Sequence, residues 1–174
     1  MSNVGRNLVS LLKQFTEKIY VYDPYWTEEQ IKNYGGVKVS SLMEIAEKCE
    51  IVALCSPLTE ETKGMIGKEF FKNMKDGAVF INTARGAIID ERALIEELKK
   101  ERIFACLDVT YPEPPEESSP LRNLKNVVIS PHIAGCVYSG LKELGKFTVE
   151  EIGRFIRGEN LENEIKLEKI NIIA

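Results

Sequence analysis

Long apolar runs are missing from this sequence, and none approaches the roughly 20 residues that a membrane-spanning helix needs. The opening Met1-Ser2-Asn3-Val4-Gly5-Arg6 has no charged region followed by an apolar stretch, so no secretory leader is read there. Both absences favour a cytoplasmic protein without a membrane partner. An excess of basic charge is also lacking: 23 Lys and Arg face 27 Asp and Glu, for a net charge of -4. Affinity for a phosphate backbone comes mostly from basic surface, so nucleic acid is not expected as a partner, although a local pocket for one small anion remains open. The four cysteines, Cys49, Cys55, Cys106 and Cys136, contain no Cys-x-x-Cys pair and mostly sit in apolar runs. They are expected to be buried, reduced thiols, with no metal site and no disulfide framework. Neither an internal repeat nor a low-complexity tract is present.

What is there is the composition of one globular domain, 174 residues that are 44% hydrophobic and 29% charged. Helix-like and strand-like segments alternate, the pattern of a parallel sheet with helices on both faces. Leu8, Leu11, Leu12 and Phe15 recur at helical spacing before a strand at Ile19-Tyr20-Val21-Tyr22. Thr27 with Gln30, and Ser41 with Glu44, have the spacing of capping boxes, which satisfy free backbone donors at a helix start. Further strands are expected at Ile51 to Cys55, Ala78 to Asn82, Ile103 to Leu107 and Val127 to Ile129. Short helices are expected from Lys68 to Met74 and after an Asp90 N-cap. Four prolines between Tyr111 and Pro120 impose a loop. From about Ser139 to Arg157, an amphipathic helix carries Leu141, Leu144, Thr148, Ile152 and Phe155 on one face.

Three residues with chemistry in them stand just past the ends of predicted strands. They are Arg85 in Ile81-Asn82-Thr83-Ala84-Arg85-Gly86, Glu113 in Asp108-Val109-Thr110-Tyr111-Pro112-Glu113-Pro114, and the sole histidine in Ser130-Pro131-His132-Ile133-Ala134-Gly135. Each alone could be a turn or solvated residue. Together they occupy the edge where open α/β sheets bind ligands. A hydride-transfer site on an open parallel sheet needs a base for a proton, a cation to hold an anionic group and a face that accepts hydride. Histidine suits the first role because its pKa lies near neutrality, and arginine suits the second because its planar fork meets a carboxylate through two hydrogen bonds. Upstream, Gly5 precedes a helix, and Asp23 follows the next strand at the distance of a ribose-binding acid. Asp23-Pro24 could equally be a strand terminator.

These motifs resemble the NAD-binding domain of the D-isomer-specific 2-hydroxyacid dehydrogenases, over about residues 4–158. The resemblance implies a Rossmann-like doubly wound parallel sheet lacking its first strand, because the family's first strand and two earlier fingerprint glycines have no counterpart ahead of Gly5. It implies NAD as cofactor, held by Gly5, Arg6, Asp23, Ser56, Pro57, Thr62, Thr83, Ala84, Asp108 and Gly135, with Asp108 near the nicotinamide carboxamide. The catalytic roles fall by the same resemblance on His132 as base, Glu113 as its partner and Arg85 as carboxylate anchor. Formate dehydrogenases of the wider superfamily fit less well, since they carry glutamine where Glu113 stands. Residues 1–158 are then an incomplete cofactor domain, and residues 159–174 a remnant of the return to a substrate domain. A small 2-hydroxy or 2-oxo acid would be met through that missing domain, and the chain would form a homodimer. Two alternatives stay open: a catalytically silent fragment that dimerises, and a corepressor-like protein that senses NAD and binds protein partners.

Overall fold

A computed structural model of the chain describes residues 1–167. Its elements run α1 (Asn3–Leu12), β1 (Tyr20–Val21), α2 (Glu28–Tyr34), β2 (Val37–Lys38), α3 (Leu42–Lys48) and β3 (Ile51–Leu54). They continue with α4 (Lys68–Asn73), β4 (Val79–Asn82), α5 (Glu91–Leu98), β5 (Phe104–Leu107), β6 (Val127–Ile129) and α6 (Tyr138–Ile156). The expected strands are all present, four of them trimmed by a residue at one or both ends. Local chemistry sets the helix starts. Thr27 and Gln30 form a full capping box, and the Asp90 side chain accepts from the N–H of Ala93. Ser41 accepts from Glu44 as expected, but the Glu44 carboxylate reaches back to the N–H of Ser40, one residue beyond the box.

Among the described residues all strand pairs are parallel, and they fall into two sheets rather than one. β1 pairs with β2, while β3, β4, β5 and β6 lie side by side in that order. No strand joins β1 to β3 among the described residues. In the four-stranded sheet Val52, Leu54, Phe80, Asn82, Ala105 and Leu107 point to a buried face. Against it pack Phe70 and Phe71 of α4 and Leu94 and Leu98 of α5. Phe70, Phe71 and Phe80 meet edge to face with centroids 5.2 to 6.5 Å apart, a geometry that adds to the transfer energy of burying three rings. Arg102 locks this layer: its guanidinium donates to the last carbonyls of α4, at Phe71 (2.8 Å), Lys72 (3.0 Å) and Met74, and pairs with Glu97 and Asp76.

The α/β class with parallel strands and helices is as expected, and helices pack on the Val52 face of this sheet. The opposite side chains stay open, with Ile51 65%, Phe104 47% and Val128 64% exposed. α6 does not cover them, since Leu141, Leu144, Ile152 and Phe155 are themselves exposed. The amphipathic pattern therefore located the helix correctly, but nothing within the described residues covers its apolar stripe. Burial of the cysteines is corrected in the same way. All four are free thiols, yet Cys136 is exposed and the other three are half-buried, because Cys136 lies in the surface segment that leads into α6. Of the expected tail, residues 159–167 double back along α6, where the Glu151 carboxylate accepts from the N–H groups of Glu162 and Asn163. Residues 168–174 lie outside the described residues.

Candidate functional site

Register decides what stands at the C-terminal edge of the four-stranded sheet. Asn82, at the end of β4, pairs with Leu107 of β5, so the segments that follow both strands leave the sheet at one level. Asn82 is fully buried, and its amide clamps the next turn: it donates to the carbonyl of Arg85 (3.1 Å) and accepts from the N–H of Ala84 (3.0 Å). Gly86 then passes against the segment after β5 so closely that a Cβ there would stand 2.1 Å from the carbonyl oxygen of Thr110. Only glycine fits, and through it the loop that carries Arg85 is docked on the loop that carries Glu113. The Arg85 side chain is exposed and bonds to the carbonyl of Ala84 (2.7 Å).

His132 comes from the loop after β6, and its Nδ1 lies 2.5 Å from the Glu113 carboxylate. Both side chains are half-exposed. That contact fixes the imidazole orientation and leaves Nε2 free to exchange a proton with a ligand. The histidine backbone adopts φ +52°, in the left-handed region that non-glycine residues rarely enter. Asp108 holds it there. This residue, 5% exposed, accepts from the Ser130 hydroxyl (2.6 Å) and the N–H of Ile133 (2.8 Å) at Oδ1, and from the N–H of Ala134 (2.9 Å) at Oδ2. Its own carbonyl accepts from the N–H of His132 (3.1 Å). Burial alone would raise its pKa, but the Ser130 hydroxyl and the two backbone donors, with His132 nearby, hold it below the ordinary carboxylate range. Asp108 is thus the anchor of the histidine loop, a function that the sequence reading, which set it beside a carboxamide, did not find.

A second feature opens between the two sheets. A cavity of about 2030 Å³ is lined by Gly5, Arg6, Asp23, Ser56, Pro57, Thr62, Thr83 and Ala84, eight of the ten expected cofactor residues, with Arg85 at its wall. Asp108 and Gly135 do not line it, and neither do Glu113 and His132. The expected residues therefore form two clusters that share one sheet edge: the cavity with Arg85, and the His132–Glu113 pair. Within the cavity the N-terminus of α1 is capped by Ser2, whose hydroxyl accepts from the N–H of Gly5 (3.1 Å). A Cβ on Gly5 would meet only ordinary contacts, Ser2 at 3.5 Å and Cys55 at 3.6 Å, so the protein's own packing does not demand glycine there. The Asp23 carboxylate accepts from the N–H groups of Tyr25 (2.9 Å) and Trp26 (3.2 Å) and pairs with the Met1 ammonium at 2.6 Å. Burial lowers the pKa of that ammonium despite the carboxylate. The Arg6 guanidinium lies over the Trp26 ring, 5.5 Å from its centroid. Thr62 ties its own loop, donating to the Pro57 carbonyl (2.6 Å) and accepting from the N–H of Thr59 (2.8 Å). Two contributors went unread in the sequence. Tyr25 donates to Glu61 across the mouth (2.5 Å), and Glu91 accepts from the N–H of Tyr111 (3.0 Å), tethering the Glu113 loop. Neither lies in a motif, and both contacts join residues 20 or more positions apart.

Comparison with known proteins bears on the same residues. A family model described as the D-isomer specific 2-hydroxyacid dehydrogenase, NAD binding domain, matches residues 1–134. The D-3-phosphoglycerate dehydrogenase of Methanocaldococcus jannaschii is 36% identical over 171 residues, 98% of this chain and 32% of that protein. The glyoxylate reductase of Korarchaeum cryptofilum is 35% identical over 173 residues, 99% of this chain and 52% of that one. Among solved structures, the apo form of Rhodotorula graminis D-mandelate dehydrogenase superposes with a TM-score of 0.84 at 30% identity, covering 95% of this chain and 49% of that one. The chain spans between about a third and a half of the length of these proteins. No described helix is long and apolar enough to cross a membrane.

Proposed function

The chain belongs to the D-isomer-specific 2-hydroxyacid dehydrogenase family, whose NAD-binding domain it matches, and we propose that it is the cofactor-binding part of an enzyme interconverting a 2-hydroxy and a 2-oxo acid. The observation that carries the reading is the 2.5 Å contact between His132 Nδ1 and Glu113, at the sheet edge where the cavity also opens.

The residues of the cavity fit a dinucleotide. Asp23 already grips an ammonium and two N–H groups there, so an acceptor for hydroxyl donors is in place, and the ribose diol would replace Met1 as its partner. A carboxylate at this position repels a 2′-phosphate, which favours NAD over NADP. The N-terminus of α1, with the N–H of Gly5, is the anion-binding end for the pyrophosphate once Ser2 gives way. Ser56, Pro57, Thr62, Thr83 and Ala84 supply the remaining wall. The nicotinamide, when bound, supplies the hydride acceptor or donor.

The chain's own residues do the rest. Arg85 offers the guanidinium N–H groups not used on Ala84 to the substrate carboxylate, as a planar fork. His132 takes the hydroxyl proton at Nε2 in oxidation and returns it in reduction, while Glu113 at Nδ1 fixes the tautomer. Asp108 keeps the His132 loop in its strained conformation. Selection of the acid belongs to a substrate domain beyond these residues. The protein is read as cytoplasmic and as a homodimer in which the exposed α6 stripe is covered by the second copy. Calorimetric titration with NADH, followed by assays with glyoxylate, hydroxypyruvate and phosphohydroxypyruvate, tests the reading. Binding of NADH is expected, with any turnover abolished by His132→Asn while binding persists. Failure to bind NADH would overturn it.

A further inference from the structure

Asp23 is not the only acid at its end of the cavity. Tyr25 follows β1 and Glu61 follows β3, yet the Tyr25 hydroxyl donates to the Glu61 carboxylate at 2.5 Å. Both ends of this contact are held by their own loops. The Tyr25 N–H is bound to Asp23 Oδ1 (2.9 Å), so the phenol springs from the same turn as the acid assigned to the ribose. Glu61 lies between two threonines that bond across it: the Thr62 N–H donates to the Thr59 hydroxyl (3.2 Å), and the Thr62 hydroxyl donates to the Pro57 carbonyl (2.6 Å). Asp23, Tyr25 and Glu61 all line the cavity, whereas Glu60, one residue earlier, does not.

Charge at this end is unevenly spent. The hydrogen bond to Glu61, then desolvation and the charges of Glu61 and Asp23, raise the Tyr25 pKa above its ordinary value, so both acids bear on one phenol. Of the cations nearby, the Met1 ammonium pairs with Asp23, the Arg6 guanidinium lies over the Trp26 ring, and Lys38 donates to the Trp26 carbonyl. With a ribose diol in the place of the ammonium, a phosphate on its 2′-oxygen would meet two carboxylates. The phenol that could donate to that phosphate already donates to Glu61. One extra carboxylate several ångströms from a phosphate dianion, in partly solvated surroundings, is worth about threefold to tenfold in affinity, and salt screens it.

We propose that Glu61, held in place by Tyr25, is a second selectivity residue of the cofactor site and acts with Asp23 to exclude a dinucleotide that bears a 2′-phosphate. This deepens the cofactor reading and rests on it. Calorimetric titration of the whole chain with NADH, and with NADPH in competition, gives the ratio of the two dissociation constants for the parent, Glu61→Gln, Tyr25→Phe and Glu60→Gln. The Tyr25, Glu60 and Glu61 side chains are exposed, so the variants keep the fold. Glu61→Gln is expected to leave NADH within about twofold and to tighten NADPH about threefold to tenfold, a gain that shrinks as salt is added. Tyr25→Phe keeps both carboxylates but releases Glu61, and shifts the ratio the same way by less. Glu60→Gln removes the same charge outside the cavity and leaves the ratio unchanged. A ratio in Glu61→Gln equal to the parent's, with NADH bound by both, would overturn the inference and leave the cofactor reading standing. An equal change in Glu60→Gln would do the same. Failure of the parent to bind either nucleotide would overturn both.

Discussion

Replacing Asp108 by asparagine removes charge from the point on which the histidine loop hangs. The carboxylate accepts three hydrogen bonds, from the Ser130 hydroxyl and from the N–H groups of Ile133 and Ala134, and its residue is 5% exposed. Asparagine keeps one carbonyl oxygen, so one oxygen position becomes an NH₂ group facing a donor. An unsatisfied buried donor costs about 1–3 kcal/mol, and weakening the other bonds from charged to neutral brings the total to about 2–4 kcal/mol. For a domain of this size that is a fall in Tm of roughly 4–16 °C. Thermal unfolding at neutral pH measures it, and amide exchange at Ile133 and Ala134 locates it. The same substitution carries a pH signature. The Asp108 pKa is held below its ordinary value in the folded chain, so its contribution is fully present above the unfolded carboxylate pKa of about 3.9 and is lost as pH falls through the lower folded value. The gap in Tm between parent and Asp108→Asn should therefore narrow as acid is added. An unchanged Tm with unchanged exchange at Ile133 and Ala134 would refute the anchoring argument.

Other substitutions probe separate joints of the structure. Gly86→Ala forces a methyl to within 2.1 Å of the Thr110 carbonyl oxygen, backbone against backbone, and is expected to cost about 1–3 kcal/mol or more in thermal unfolding. Gly145→Ala in α6, where an added Cβ meets nothing within 4 Å, is the control and should stabilise by up to about 1 kcal/mol. Arg102→Ala uncovers the end carbonyls of α4 and leaves Glu97 with Lys100 alone; chemical denaturation should register a loss of about 2–4 kcal/mol. Asp23→Ala removes the acceptor from the cavity and should weaken NADH about tenfold in a calorimetric titration, while reducing discrimination against NADPH.

Much of this architecture was legible because apolar runs between turn signals mark buried parallel strands. Residues 127–129 were located to the residue, and the capping chemistry of Thr27 and Asp90 placed two helix starts. Harder to read was anything set by a partner distant in the chain. An apolar stripe shows that α6 is amphipathic but not what covers it, and Leu141 and Phe155 remain bare. Asp108 could be recognised as an acid past a strand, whereas its partners arrive from 22 to 26 residues away through a loop whose conformation no local pattern encodes. Gly86 stood in plain view beside Arg85, yet its necessity comes from the Thr110 carbonyl across the edge. The split into two sheets agrees with the expectation, drawn from the resemblance, of a sheet without its first strand. The doubling back of the tail was not legible, because its contacts with Glu151 depend on where α6 points.

The account turns on whether the cavity between the sheets is a dinucleotide site that reaches Arg85. A titration of isotope-labelled chain with NADH, followed by amide chemical shifts, measures this directly. Shifts at Gly5, Tyr25, Thr62 and Ala84 through Gly86 should grow together and saturate at one NADH concentration. Shifts scattered over residues that do not line the cavity, or none at all, would contradict it.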